Sequence, residues 1–149
     1  MFVILSVSDG DKHFASAIAE YAKRLGNTVK FENLKPFKDT NRSLIIQRET
    51  KNILQVIEKK YINFQKILLI KEGKELSTEE LHMMIRQKDT VCIIGGPYGV
   101  EREMIKESFP KIREASFGKI TMPHGLAKLV LTEQLYRCST LDIGKNYHY

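Results

Sequence analysis

The chain has 149 residues, of which 42% are hydrophobic and 28% charged, with a net charge of +6. A length near the common domain size predicts one domain over 1–149, with a core large enough to need no metal or disulfide staple. The composition excludes a disordered tail protein. No apolar run approaches the ~18–20 residues of a membrane span. The opening segment MFVILSVS is apolar but has no basic flank before it and no small-residue cleavage site after it, so it reads as a first strand and not a signal peptide. Two cysteines, Cys92 and Cys138, lie in different elements without C-x-x-C spacing. They point to no zinc site and no disulfide framework, and to a reducing, cytoplasmic setting.

In chain order, FVILSVS (2–8) is a short apolar strand, and Asp9-Gly10-Asp11 supplies a turn and a helix cap. Phe14, Ile18, Tyr21, Ala22 and Leu25 follow at helical spacing, and Gly26-Asn27 stops that helix. TVKFENL (28–34) alternates as a strand, and KPFKDTNR (35–42) is a polar loop. Ile46, Ile53, Leu54 and Ile57 mark a second helix from Ser43. QKILLIK (65–71) is a third strand, ended by a turn at Gly73. Ser77 and Glu80 form a capping box that opens a short helix. TVCII (90–94) is a fourth strand running straight into Gly95-Gly96-Pro97-Tyr98-Gly99. A short helix over 101–107 precedes Pro110, KITM (119–122) is a fifth strand, and Pro123-His124-Gly125 opens a last helix to about Cys138.

This alternation predicts an α/β fold with a mostly parallel sheet and flanking helices. Ligands of such sheets sit beyond the carboxyl ends of the strands. The turns at Lys71 to Lys74, Gly95 to Gly99 and Met122 to Gly125 are therefore the expected walls of a pocket.

The segment IIGGPYG is neither a dinucleotide fingerprint, which follows a first strand, nor a phosphate loop, which ends in Gly-Lys-Ser/Thr. Taken alone it is a tight turn or a ligand loop. His124 at the mouth of the last helix is a cap, a hydrogen-bonded wall or a reactive group. Glu133 and Arg137, four apart, form an ordinary surface ion pair or part of a site. The last helix is apolar on most sides, which predicts that it is buried and, at the end of a chain of this length, suggests a subunit interface. Chain ends are normally frayed, so Tyr147-His148-Tyr149 asks for a surface to dock on. His13 and His82 read as solvated or packing residues. No triad, acid pair or metal-ligand spacing appears. The basic balance suits a polyanion such as RNA or solubility alone, and its scattered charges offer no basic arm.

Together, LLIKEGKELSTEEL, IIGGPYG, KITMPHG, LTEQLYR and a terminal NYHY resemble the ribosomal RNA large subunit methyltransferase H family, of the SPOUT class of S-adenosylmethionine enzymes. The resemblance spans the chain and is strongest from Leu69 onward. It implies a homodimeric α/β fold with a C-terminal trefoil knot and N3-methylation of a pseudouridine in large-subunit rRNA on the assembled ribosome, with neither membrane nor metal. It places S-adenosylmethionine against Leu69, Gly95, Phe117, Gly118, Lys119, Ile120, Thr121 and Met122. His124, Glu133, Arg137, Tyr147 and His148 match the positions near the substrate: His148 as base or proton relay, Tyr147 for positioning or stacking, and Arg137 as electrostatic clamp. Ile70 stands where the family usually has an aspartate, and Gly118 where it usually has a serine. The rival readings are a non-catalytic RNA-binding module of the same fold and a SPOUT enzyme acting on another RNA. A nucleotide- or flavin-binding oxidoreductase is disfavoured by the short, acidic first turn.

Overall fold

The computed structural model describes residues 1–147. Two strands, β1 (Phe2–Val7) and β4 (Thr90–Ile94), are buried at every position. Such continuous burial belongs to the middle of a sheet covered on both faces. Around them lie β2 (Val29–Leu34), β3 (Gln65–Glu75) and β5 (Arg113–Ser116), in the order β2-β1-β4-β3-β5. Every pair in the sheet is parallel.

Period-two alternation divides each strand between two cores. Phe2, Ile4, Ile67, Cys92 and Ile94 face one side, with Leu25 of α1 (Ala15–Leu25), Leu81 and Met84 of α3 (Thr78–Gln87), and Leu131, Leu135 and Cys138 of α5 (His124–Asp142). Val3, Leu5, Val7, Leu68, Val91 and Ile93 face the other, with Ile53, Leu54 and Ile57 of α2 (Arg42–Lys60) and Ile105 of α4 (Arg102–Ser108). Both cysteine thiols are buried and free, and burial pushes each up to about 12, where the thiolate is scarce at neutral pH.

Local signals hold at several ends. Gly26 closes α1 at φ +58°, and the Ser77–Glu80 capping box opens α3 with both of its hydrogen bonds. Other expectations are corrected. The fifth strand is Arg113–Ser116, not KITM at 119–122. Its backbone finds a partner in β3, whereas Ile120 is 79% exposed and pairs with no strand. The turn expected at Gly73 lies inside β3, which continues to Glu75 past an irregularity in its register with β5 between Leu69 and Lys74. Glycine is needed there for closeness: a Cβ on Gly73 would fall 2.6 Å from the Ala115 backbone. The last helix runs past Cys138 to Asp142.

Asp11 is not a helix cap. Phe14 occupies the N-cap of α1 and makes no side-chain cap bond. The Asp11 carboxylate instead accepts hydrogen bonds from Ser8 Oγ (2.6 Å) and from Lys128 Nζ (2.7 Å). Lys128, on α5 and only 2% exposed, also donates to Asn33 Oδ1 of β2 at 2.7 Å. Ser6 Oγ of β1 donates to the same Asn33 oxygen. One buried ammonium thus ties β1, β2, the β1–α1 loop and α5 together. Burial alone would push the Asp11 carboxyl up, but the Lys128 and Ser8 hydrogen bonds and the lysine charge hold it below its ordinary value.

Breaking one side of a buried pair strands the other charge. Lys128→Met is therefore expected to lower unfolding stability by about 3–5 kcal/mol in urea titrations, with much of the loss recovered in the Lys128→Met, Asp11→Asn double variant. Because the folded pKa of Asp11 is depressed, the pair's contribution is present above the unfolded carboxylate pKa and is lost as pH falls through the lower folded value. Acid unfolding of the double variant should lack that component.

Candidate active site

Beyond the end of β4 and beside the middle of β3, the backbone opens a cavity of about 540 Å³. Leu69, Ile70, Lys71 and Glu72 of β3 form one wall, the turn after β4 (Gly95, Gly96, Pro97, Gly99) a second, and the segment from Ser116 to His124 a third. Parts of all three segments expected beyond the strand ends share this cavity, but of the first only Lys71 and Glu72 line it, and they lie within β3 rather than beyond it. Of the residues expected to meet a methyl donor, Leu69, Gly95, Phe117, Gly118, Ile120, Thr121 and Met122 line it. Lys119 is exposed and does not line it.

Backbone conformation shapes these walls more than side-chain chemistry does. Gly118 has φ +115°, a region L side chains rarely adopt, so a serine at this position would be strained. The hydroxyl on this turn comes from Ser116, whose Oγ accepts from Gly118 N (3.0 Å) and donates to Gly118 O (2.8 Å). Gly95 is packed so closely that a Cβ would lie 2.8 Å from Val100 Cγ1. Ile70, in place of the family's usual aspartate, lines the cavity and packs against the α2/α4 core. Lys71 is the one lysine in a lining otherwise made mostly of glycines and apolar side chains. Such a lining suits an uncharged aromatic ring and a compact cation better than a polyphosphate, which calls for several convergent N–H donors and cations. Among the described residues no group of three His, Cys, Asp or Glu could hold a metal ion.

Behind the turn after β4 lies a buried acid that the local patterns passed over. Glu49 of α2 is 1% exposed. Its Oε1 accepts from the Phe37 amide at 3.0 Å, while its Oε2 has no hydrogen-bond partner. Burial pushes this carboxyl up, opposed by the Phe37 amide and by the charge of His124. A signal was present: Glu49 continues the spacing of Ile45, Ile53 and Ile57, an acid set into the apolar stripe of α2. Lys128 is the same kind of signal in α5. Beside the turn, the Arg42 guanidinium lies over the Tyr98 ring, 4.5 Å from its centre, and Arg48 lies over Phe37.

The residues expected near the substrate fall into two groups. His124 lines the cavity at the start of α5. Glu133 and Arg137 follow about 14 and 20 Å farther along the helix axis. They form an ion pair at 2.7 Å, and the carboxylate holds the guanidinium protonated to higher pH than usual. Arg137 Nη1 also donates to the Tyr147 carbonyl at 3.2 Å, and its guanidinium lies 5.0 Å from the centre of the Tyr147 ring. The Tyr147 ring meets Tyr136 edge-on at 4.9 Å, and a hydrogen bond with Tyr21 pushes its hydroxyl pKa up. The tail up to Tyr147 therefore docks on α1 and α5 of its own chain. His148 lies outside the described residues. His82 bonds Asp142 at 2.8 Å, and His13 is exposed beside Phe14.

Comparison with known proteins gives consistent results. A sequence profile described as "Predicted SPOUT methyltransferase" matches residues 1–148. Proteins named ribosomal RNA large subunit methyltransferase H are similar over most of the chain. That of Limosilactobacillus reuteri is 37% identical over 93% of this chain and 92% of its own length. That of Mesomycoplasma hyopneumoniae is 35% identical over 85% and 82%, and that of Mycoplasmopsis pulmonis 32% identical over 97% of each. A crystal structure from Bacillus anthracis, described as a candidate RNA methyltransferase, superposes with a TM-score of 0.56 over 93% of this chain and 94% of that one; at 14% identity it bears on the fold alone. With a five-stranded parallel sheet, a glycine-walled cavity at its carboxyl edge and a match over nearly the whole sequence, the chain belongs to the SPOUT methyltransferase family and is a methyltransferase.

Proposed function

We propose that the chain methylates N3 of a pseudouridine in large-subunit rRNA on the assembled ribosome, with S-adenosylmethionine as donor, working in the cytoplasm as a homodimer of single-domain subunits. The reading includes the C-terminal trefoil knot implied by the family resemblance. The observation that carries it is the cavity, a mostly glycine and apolar slot beside β3 and beyond the end of β4, with Lys71, Glu72 and His124 as its titratable wall residues. The names of the relatives support the large-subunit rRNA substrate. Scattered basic charge supports a shaped target, since phosphate neutralisation by dispersed lysines binds naked RNA weakly and without specificity.

When bound, S-adenosylmethionine supplies an electrophilic methyl group on a sulfonium. The residues of the chain divide the remaining work. Leu69, Gly95, Phe117, Gly118, Ile120, Thr121 and Met122 hold the donor and exclude water, with Lys119 at the outer edge of the same segment. Arg137, aligned by Glu133, faces the negative charge that builds on the uracil carbonyls. Tyr147 supplies a stacking surface, and His148 takes the N3 proton, a task suited to a group titrating near neutral pH. His124 closes the cavity wall on the substrate side.

One chain cannot bring these groups together, because α5 is rigid and holds Arg137 about 20 Å from His124 along its axis. A second copy resolves this. Leu126, Val130, Glu133 and Arg137 share one incompletely buried face of α5, and a partner seated there sets the Arg137 and Tyr147 of one subunit beside the cavity of the other. Leu131 and Leu135 face the subunit's own core and take no part in this contact.

Three outcomes test this reading. Gly95→Val, whose Cβ alone would crowd Val100, should abolish calorimetric binding of S-adenosylmethionine and of its demethylated product. Val130→Glu should give a monomer near 17.2 kDa by light scattering and lose methyl transfer while keeping donor affinity within a few-fold. Arg137→Ala should slow single-turnover methylation of ribosomes by about 10²–10³-fold, the range for losing one charge-stabilising donor, with donor affinity again within a few-fold. Normal turnover by either α5 variant overturns the shared site.

A further inference from the structure

Two carboxylates are deeply buried on the side of the molecule that carries the cavity, and they are treated differently. Asp11 has a lysine ammonium at 2.7 Å. Glu49 has no cationic partner within ion-pair distance among the described residues. Its Oε1 is held by the Phe37 amide, and its Oε2 is left without a partner. That free oxygen points at the turn after β4: a Cβ built on Gly96 would lie 2.7 Å from it, and Gly96 itself lines the cavity. Gly96 thus lies between the carboxyl and the ligand space, with Val7 packed beside it. A buried acid without a counter-charge is costly, and it either keeps its proton or awaits a cation.

We propose that Glu49 is the counter-charge for the cationic group of the ligand in this cavity, and that it makes the site prefer a sulfonium donor to the neutral thioether left after transfer. The inference rests on the methyl-donor reading of the cavity. It follows from placement and charge. The carboxyl lies outside the ligand space, so it acts through the field across Gly96 and is a positioning and selectivity residue, not a catalytic one. In a poorly solvated wall, one unit charge near another changes affinity by an order of magnitude or more. Loss of the methyl group removes the ligand's sulfonium charge and with it this attraction, so the same residue that favours loading favours exchange of product for donor. Burial raises the pKa of Glu49, the direction expected of a buried acid with no cation within ion-pair distance. His124, whose charge is felt at Glu49, is the chain's own competitor for this role.

The test is calorimetric binding of S-adenosylmethionine and S-adenosylhomocysteine to the full chain. The unaltered protein should prefer the cationic donor. In Glu49→Gln that preference should fall by about tenfold, chiefly through weaker donor binding, while product affinity changes little. Glu49→Met, which leaves no polar atom behind Gly96, should show the same loss if the amide variant does not fold. Glu49→Asp, which keeps the charge, should retain most of the preference. A drop of equal size for both ligands in the Gln and Met variants overturns the proposal and leaves Glu49 as a shaping element of the turn. Unchanged affinities in both variants overturn it as well. Binding of neither ligand to the unaltered protein overturns the donor reading of the cavity, and this inference with it.

Discussion

The Lys128 ammonium is the contact on which the rest of the site depends. Hydrophobic burial can press α5 onto the sheet, but it is non-directional and α5 is apolar around most of its circumference. Leucines alone would tolerate a rotated helix. A buried ammonium with acceptors at 2.7 Å on the β1–α1 loop and on β2 does not. Stranding that charge costs about 3–5 kcal/mol. The pair therefore fixes the rotation of α5, and with it the place of His124 at the cavity and the direction in which Val130, Glu133 and Arg137 face.

The sequence revealed the layers of the fold because burial periodicity is a local property. Six consecutive buried residues in β1, the capping box of α3 and the Gly26 stop need no knowledge of the rest of the chain. The errors fall where pairing is decided at long range. REAS at 113–116 carries two charged residues and reads poorly as a strand, while KITM reads well. What decides between them is the free edge of β3, which accepts Arg113 to Ser116 because Gly73 lets the Ala115 backbone approach. The segment that looked like the strand is left to form a cavity wall, with Gly118 at positive φ and Ile120 exposed. A local β propensity was overridden by backbone complementarity elsewhere.

The candidate site was legible in a similar, uneven way. Its glycines and the residues of α5 stand out as motifs, so His124, Glu133, Arg137 and Tyr147 could be named from the chain. Their separation could not, since motif order carries no distance. His124 lies at the start of α5 about 20 Å along its axis from Arg137, whereas Glu133, Arg137 and Tyr147 meet one another. Asp11 departs from its expected role for a related reason. An aspartate before a helix normally caps it, but here the stronger demand came from a lysine 117 residues away.

Glu49 and Lys128 share one signature, a charged residue inside an apolar helical stripe. In α5 that charge is answered within the chain, by Asp11. In α2 it is met at contact distance by one backbone amide and from farther off by His124, and its remaining oxygen faces Gly96 in the cavity wall. Were the role of Glu49 merely to hold the Phe37 loop, a neutral amide-bearing side chain would serve without the desolvation penalty of an acid. An acid is the more costly choice, and it gains something only when positive charge comes within its field. The ordinary ion pair near the start of α5 and the unanswered acid behind the β4 turn therefore mark different tasks: the first holds the frame rigid, and the second leaves one charge for a ligand to complete.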